Sequence, residues 1–471
     1  VIFQSLDFLV FLLVVVGLHW LLPSRWRGAF LLLASYVFYG YVHPWFLFLL
    51  WFVTVAVYGC ALGIERLPGY RKTFLMVGLG SCLGMLGVFK YFHFFIDNVV
   101  AALRAVGFDA SGPTIQIVLP VGISFFAFQG MSYVIDVYRG QVRARTSLLS
   151  VALFKAFFPQ LVAGPIERAT HLLPQLEARR TLRMDLMVEG LLLLVWGFFK
   201  KLVIADNVSI IANKIFLLAH PSFPLLWAGV LAFCIQIYAD FSGYTDIARG
   251  SAKMLGINLI ENFRHPYAAS SPSDFWRRWH ISLSTWFRDY VYIPLGGNRD
   301  GQLIGARNVL ITFGLSGLWH GAGWNYVAWG AYWGLLIVGS RYLGAFFPTQ
   351  MWALPGMRLL QIALMFVITN IGWLLFRETD FHALLADLST SPWAASAEDW
   401  QAAAYFACLV CLYSIPLILH YFVDSESGFA RPRDFVSTRS LALRTGSALA
   451  MFCTILVLRT ANSGDFIYFK F

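Results

Sequence analysis

His320 sits in the segment LSGLWHGAGWNYVAWG, inside a run from Asn308 to Ser340 that contains no Asp, Glu, Lys or Arg. An ionisable side chain at membrane depth is costly, so it lines a cavity or takes part in chemistry more often than it simply packs. Glycines on both sides let a ligand or a second backbone come close, and Trp319 beside it adds an aromatic wall. Such an imidazole can remove the proton of a hydroxyl as that hydroxyl attacks a thioester carbonyl. A second histidine or a nearby donor can then stabilise the oxyanion. Proton relay through a transporter fits the same residue.

The second candidate is SSPSDFWRRWHISLSTWFRDYVYIPLGGNR, Ser270 to Arg299, where charges alternate with aromatic rings. An amphipathic helix lying in the membrane interface accounts for the pattern, although a solvated face has no need of so many tryptophans beside arginines. Ser273 and Asp274 read as N-cap residues. On one continuous helix Trp276, His280, Ser284 and Arg288 fall four apart and share a face, with Arg277 beside it. That face suits a polar headgroup or a nucleotide phosphate, because the planar guanidinium fork binds two oxygens and keeps its charge. Arg278 and Trp319 complete the expected donor-binding set.

In CIQIYADFSGYTDIARGSAKMLGI, Asp240 and Asp246 are six residues apart and need not face each other. Ion pairing with Arg249, or with the arginines of the Ser270–Arg299 segment, is their expected role. Tyr244, Asp289 and Tyr290 join them as supporting residues. No HExxH, GxSxG, Walker A or GxGxxG pattern occurs, which weighs against a zincin, a serine hydrolase and nucleotide hydrolysis. The CxxC of Cys408 and Cys411 lies in an apolar stretch without basic neighbours, so no metal or redox site is expected there.

These residues are carried by a chain of 471 residues that is 59% hydrophobic, 13% charged and 17% aromatic, with mean hydropathy +0.67. Soluble domains are about 45–50% apolar and about 25% charged. A soluble enzyme, a disordered protein and a secreted disulfide scaffold are thereby excluded. The net charge of +10 belongs to cytoplasmic loops rather than to nucleic-acid binding.

With about 20 apolar residues per crossing, candidate spans lie near Phe8–Leu22, Ala29–Val42, Trp45–Gly63, Thr73–Phe92, Ile117–Ile135, Leu186–Ile204 and Ala219–Ala239. Others lie near Asn308–Ser340, Leu359–Phe376, Trp400–Val423 and Ser440–Leu458, making about eleven in an all-α, polytopic fold with re-entrant and interfacial pieces. Basic segments at Arg25/Arg27, Glu65–Lys72, Arg139–Arg145, Arg168–Arg183, Arg264–Arg307 and Arg431–Arg444 are assigned to the cytoplasm, and the acidic Arg377–Asp399 to the far side. Alternation holds if Leu148–Ile166 dips in and returns, which places both termini on the far side. A helix from Asn308 climbs roughly 18 Å by Trp319, which puts His320 near mid-membrane. With no repeat or composition break, residues 1–471 read as a single transmembrane domain.

LPVGISFFAFQGMSYVIDVYRG, FPQLVAGPIERATHLLPQL, WGFFKKLVIADN, YADFSGYTDIARG, SDFWRRWHISLSTWFRDYVYIPLGGNR and LSGLWHGAGWNYVAWG together resemble the membrane-bound O-acyltransferase family, in its bacterial alginate O-acetyltransferase branch. The likeness runs from the opening VIFQSLDFL to the closing ANSGDFIYFKF. It implies a helical body with a central tunnel reaching a buried histidine from the cytoplasm. It also implies that the WHG histidine, His320, is the principal catalytic residue and His280 the second signature residue. Acetyl-CoA is the implied donor, with no permanently bound cofactor. Acetyl groups would pass across the bacterial inner membrane to a periplasmic acetyltransferase partner that modifies an exopolysaccharide such as alginate. A D-alanyl or other acyl exporter of the same family, a non-enzymatic transporter and an assembly scaffold are the alternatives.

Overall fold

The computed structural model describes residues 3, 5–41, 43–113, 118–162, 164–346, 356–425 and 441–460. Among them every regular element is helical. Of the basic loop expected at Arg431–Arg444, residues 431–440 lie outside the described residues, as do the closing residues 461–471. The chain divides into two compact units, residues 1–190 with 251–260 and residues 191–250 with 261–471.

The first unit holds α1 (Leu6–Leu21), α2 (Ser24–Gly40), α3 (Phe46–Arg66), α4 (Arg71–Phe89), α5 (Phe92–Ala105), α6 (Ile123–Tyr138), α7 (Leu148–Ala156), α8 (Phe158–Leu161) and α9 (Ala169–Glu177). Ser5 starts α1 by accepting the Phe8 N–H at 3.1 Å, a side-chain cap for one of the four donors a helix start leaves open. Residues 148–166, expected to dip in and return, form two short helices separated by a non-helical Phe157. With nine residues, α7 rises only about 14 Å. Lys155 on α7 is buried and bonds the Phe126 carbonyl, which supplies the acceptor a buried ammonium needs. α9 is tied to the 258–260 strip: buried Glu167 accepts the Ile260 N–H at 2.7 Å, and Gln175 both accepts from and donates to the Asn258 backbone.

The second unit holds most of α10 (Met184–Phe199), a π-helical turn at Lys200–Ala205, α11 (Asp206–Phe216) and the greater part of α12 (Phe223–Met254). α13 (Pro272–Arg278), α14 (Ile281–Phe287), α15 (Gln302–His320), α16 (Trp324–Phe346), α17 (Met357–Arg377), α18 (Phe381–Ser389), α19 (Ala397–Ser425) and α20 (Leu441–Leu458) follow.

Five helical segments among the described residues are long and apolar enough to cross a bilayer: Phe46–Arg66, Pro68–Phe89, Phe223–Met254, Met357–Arg377 and Ala397–Phe422. This is fewer than the eleven or so expected. The difference falls on α1, α2, α6, α10 and α20, which run 16 to 18 residues, short of the about 20 a straight crossing needs. It falls also on α15 and α16, where Arg307, Asn308, His320, Asn325 and Arg341 interrupt the apolar run.

Candidate active site

Pro272 opens α13, and Ser271 caps it by accepting the Asp274 N–H at 3.1 Å. Proline suits the first helical position, where its missing N–H costs nothing. The cap is therefore Ser271 rather than Ser273 or Asp274, both of which lie in the first turn. The Asp274 carboxylate instead accepts Arg278 Nε at 3.0 Å.

The expected continuous helix through Trp276, His280, Ser284 and Arg288 does not form. α13 ends at Arg278, His280 takes left-handed backbone angles of φ 41° and ψ 55°, and the helix restarts at Ile281. Pairing with the segment 262–264 breaks it. The Arg264 N–H donates to the Arg278 carbonyl at 2.9 Å, the Ile281 N–H to the Asn262 carbonyl at 2.9 Å, and the Ser282 N–H to Asn262 Oδ1 at 3.2 Å. Such a conformation costs a non-glycine residue about 1–3 kcal/mol and persists where surrounding contacts hold it. Among the described residues only His265 shares it.

The His280 ring is wholly buried, with Nδ1 3.1 Å from Asn262 Oδ1. Phe241 meets it edge to face at 4.8 Å between centroids. Burial pushes this imidazole down to about 3, because a low-dielectric surround penalises the charged form. His320, 3% exposed, ends α15. Its ring contacts Trp319, Trp329 and Phe376 at 5.0, 4.9 and 5.4 Å. Trp319 also meets His280 at 5.9 Å, so one indole touches both imidazoles.

The α15–α16 hairpin carrying His320 is closed by glycines. A Cβ on Gly317 would fall 2.1 Å from the Tyr326 carbonyl oxygen, and one on Gly330 2.3 Å from that of Phe313. Only glycine permits this backbone approach.

Despite the break in the helix, Trp276, Arg277, Ser284 and Arg288 converge on one cavity of about 310 Å³, whose far wall is α15. Ser316 of that wall precedes His320 by one turn, and Arg341 from α16 adds a third guanidinium. Two expected donor residues lie elsewhere: Arg278 is paired with Asp274, and Trp319 belongs to the histidine cluster. Ser316 and Arg341 were missed from sequence, although Arg341 is the charge that ends the uncharged run.

The aspartates find lysines more than arginines. Lys201 Nζ lies 2.8 Å from Asp240 and 2.8 Å from Asp206, and Lys200 Nζ lies 2.5 Å from Asp246. Arg249 joins Asp246 at 3.3 Å, as expected. The π-helical turn brings two successive lysines to α12, an arrangement that helical spacing does not announce. Tyr244 packs its ring against Lys201 at 5.6 Å. Asp289 pairs with Arg288 at 2.7 Å, and the Tyr290 ring packs tilted against Trp286 with centroids 5.1 Å apart. Neither Asp289 nor Tyr290 lines the cavity.

Comparison with known proteins gives a family. The profile of the membrane-bound O-acyltransferase family matches residues 141–376. The probable alginate O-acetylase AlgI of Pseudomonas putida is 37% identical over the whole of both chains. That of Pseudomonas aeruginosa is 42% identical over 80% of this chain and 72% of its own. The peptidoglycan O-acetyltransferase of Helicobacter pylori is 35% identical over 78% of this chain and 73% of its own. With half its length inside the family profile and full-length relatives in bacteria, the chain belongs to the membrane-bound O-acyltransferase family, as a multi-pass enzyme of the inner membrane.

Proposed function

We propose that the protein takes acetyl groups from a cytoplasmic thioester donor, acetyl-CoA, and passes them across the inner membrane for O-acetylation of an exopolysaccharide such as alginate. Acetyl is the group common to its alginate and peptidoglycan relatives, whose names differ in the acceptor. The observation that carries the reading is the cavity lined by Arg277, Arg288 and Arg341, whose facing α15 wall reaches Ser316, one turn before His320. Guanidinium forks suit the donor's phosphates, and the mostly apolar remainder suits its arm and acetyl group.

In this reading residues 1–471 form one transmembrane domain around a central tunnel. The shorter helices α1, α2, α6, α10 and α20, with the α15–α16 hairpin, complete about eleven crossings by tilting or by shelter within the protein. His320 stands near mid-membrane. It serves as general base, removing the acceptor hydroxyl's proton as the oxygen attacks the thioester carbonyl, or as transient acyl carrier. The carbon–sulfur bond breaks, an ester forms, and the proton leaves with the thiol. His280 assists through a hydrogen bond. A periplasmic acetyltransferase receives the acetyl group.

The test is transfer from radiolabelled acetyl-CoA by purified protein in lipid, comparing wild type with His320→Ala and His280→Ala. Loss of label transfer by about 10²-fold or more in a folded His320→Ala is expected. Unchanged transfer in both variants overturns the reading.

A further inference from the structure

The contacts around His280 decide which ring nitrogen carries its hydrogen. The Ser282 backbone N–H can only donate, and it meets one end of the buried Asn262 amide at 3.2 Å. That end is therefore the oxygen, and the amide has one orientation. Ser282 Oγ donates to the same oxygen at 2.8 Å. His280 Nδ1 lies 3.1 Å from it. A carbonyl oxygen accepts and never donates, so Nδ1 must bear the hydrogen. Ser282 Oγ is also 3.4 Å from Nδ1; with its own hydrogen on Asn262, it turns a lone pair to that N–H.

We infer that Asn262 is a positioning residue that locks His280 in its Nδ1–H tautomer, so that Nε2 serves the acyl-transfer site as a hydrogen-bond acceptor and not as a donor. What Nε2 does rests on the proposed function; the tautomer does not. The lock is built into the fold: the Asn262 carbonyl also accepts the Ile281 N–H at 2.9 Å, which holds the left-handed turn that aims the ring. Burial keeps the imidazole neutral, so the doubly protonated form that could donate from Nε2 is disfavoured. Stabilisation of an oxyanion then falls to another donor, and His280 receives a hydrogen bond instead.

The test begins with ¹⁵N-histidine spectra of the full protein in lipid, the His280 signals being assigned by their loss in His280→Ala. A protonated Nδ1 and bare Nε2, unchanged from pH 5 to 8, are expected. Asn262→Asp keeps an acceptor and adds charge, so it should keep the tautomer and lose transfer selectively toward acid pH, with the donor KM unchanged. Asn262→Leu removes the acceptor and should lower kcat by about 10²-fold at unchanged KM. A protonated Nε2 in the wild type overturns the lock, as does Asn262→Leu turning over with wild-type kcat and pH profile. If Asn262→Leu does not fold, the wild-type spectrum and Asn262→Asp decide. If His280→Ala leaves transfer intact, the proposed function of this histidine falls, while the spectrum still reads the tautomer.

Discussion

Trp329 meets the His320 imidazole edge to face, ring centroids 4.9 Å apart, and is itself wholly buried. Aromatic pairs prefer this geometry, and it adds about 0.5–1.5 kcal/mol beyond the area buried. The ring that would do the chemistry is thus oriented by packing on three sides, from Trp319, Trp329 and Phe376.

Trp329→Phe keeps an aromatic edge against His320. It should fold and retain acetyl transfer within about tenfold, whereas Trp329→Ala opens a cavity costing about 3–5 kcal/mol. Thermal unfolding in detergent beside the transfer assay separates the two effects. Equal activity in wild type and a folded Trp329→Ala would show that the ring needs no such support.

Arg277→Ala and Arg288→Ala should each raise the KM for acetyl-CoA about tenfold with little change in kcat, as loss of one charge-assisted contact does. Arg278→Ala, whose partner is Asp274, should change KM far less. Steady-state kinetics at two salt concentrations checks this, and a KM shift confined to Arg278 would move the donor site elsewhere.

Lys201→Met would leave Asp206 and Asp240 buried beside each other without their shared cation. Breaking such a cluster from one side costs about 3–5 kcal/mol. Lys201→Met with Asp240→Asn should recover part of the loss. A melting-temperature cycle over the single and double variants tests it, and strict additivity would mean that the groups are not coupled.

His171 donates Nδ1 to Glu167 at 2.8 Å, and this bond raises its pKa above the usual 6.5. A group whose pKa is raised on folding contributes stability that is complete below the unfolded pKa and lost as pH rises through the folded one. The side chain is 40% exposed, so screening keeps the effect modest. Melting temperature should decline slightly on going above pH 6.5 in wild type, and His171→Gln should flatten that slope. An equal slope in both would assign it to other groups.

The all-helical membrane class was legible because composition reports on cost, and the burial of His320 because an isolated ionisable residue in an uncharged run does so too. The convergence of Trp276, Arg277, Ser284 and Arg288 was legible too, but for an incomplete reason. Helical spacing put them on one face, and they meet although the helix breaks at His280. That break is invisible in sequence because its cause, the 262–264 pairing, depends on backbone groups that any residue possesses. The lysine partners of Asp240 and Asp246 escaped notice for a similar reason. A π-helical turn at Lys200–Ala205 changes which side chains face α12.

The glycine contact between α15 and α16 also bears on traffic. Where Gly317 meets Tyr326 and Gly330 meets Phe313, there is no room for even one methyl group between the backbones. The hairpin is therefore zipped shut along its own seam, and no acyl chain or solvent file can slip through it to His320. The cavity lies beside Thr312 and Ser316 of α15, off those two points of closure, and it is there that cargo size would be judged.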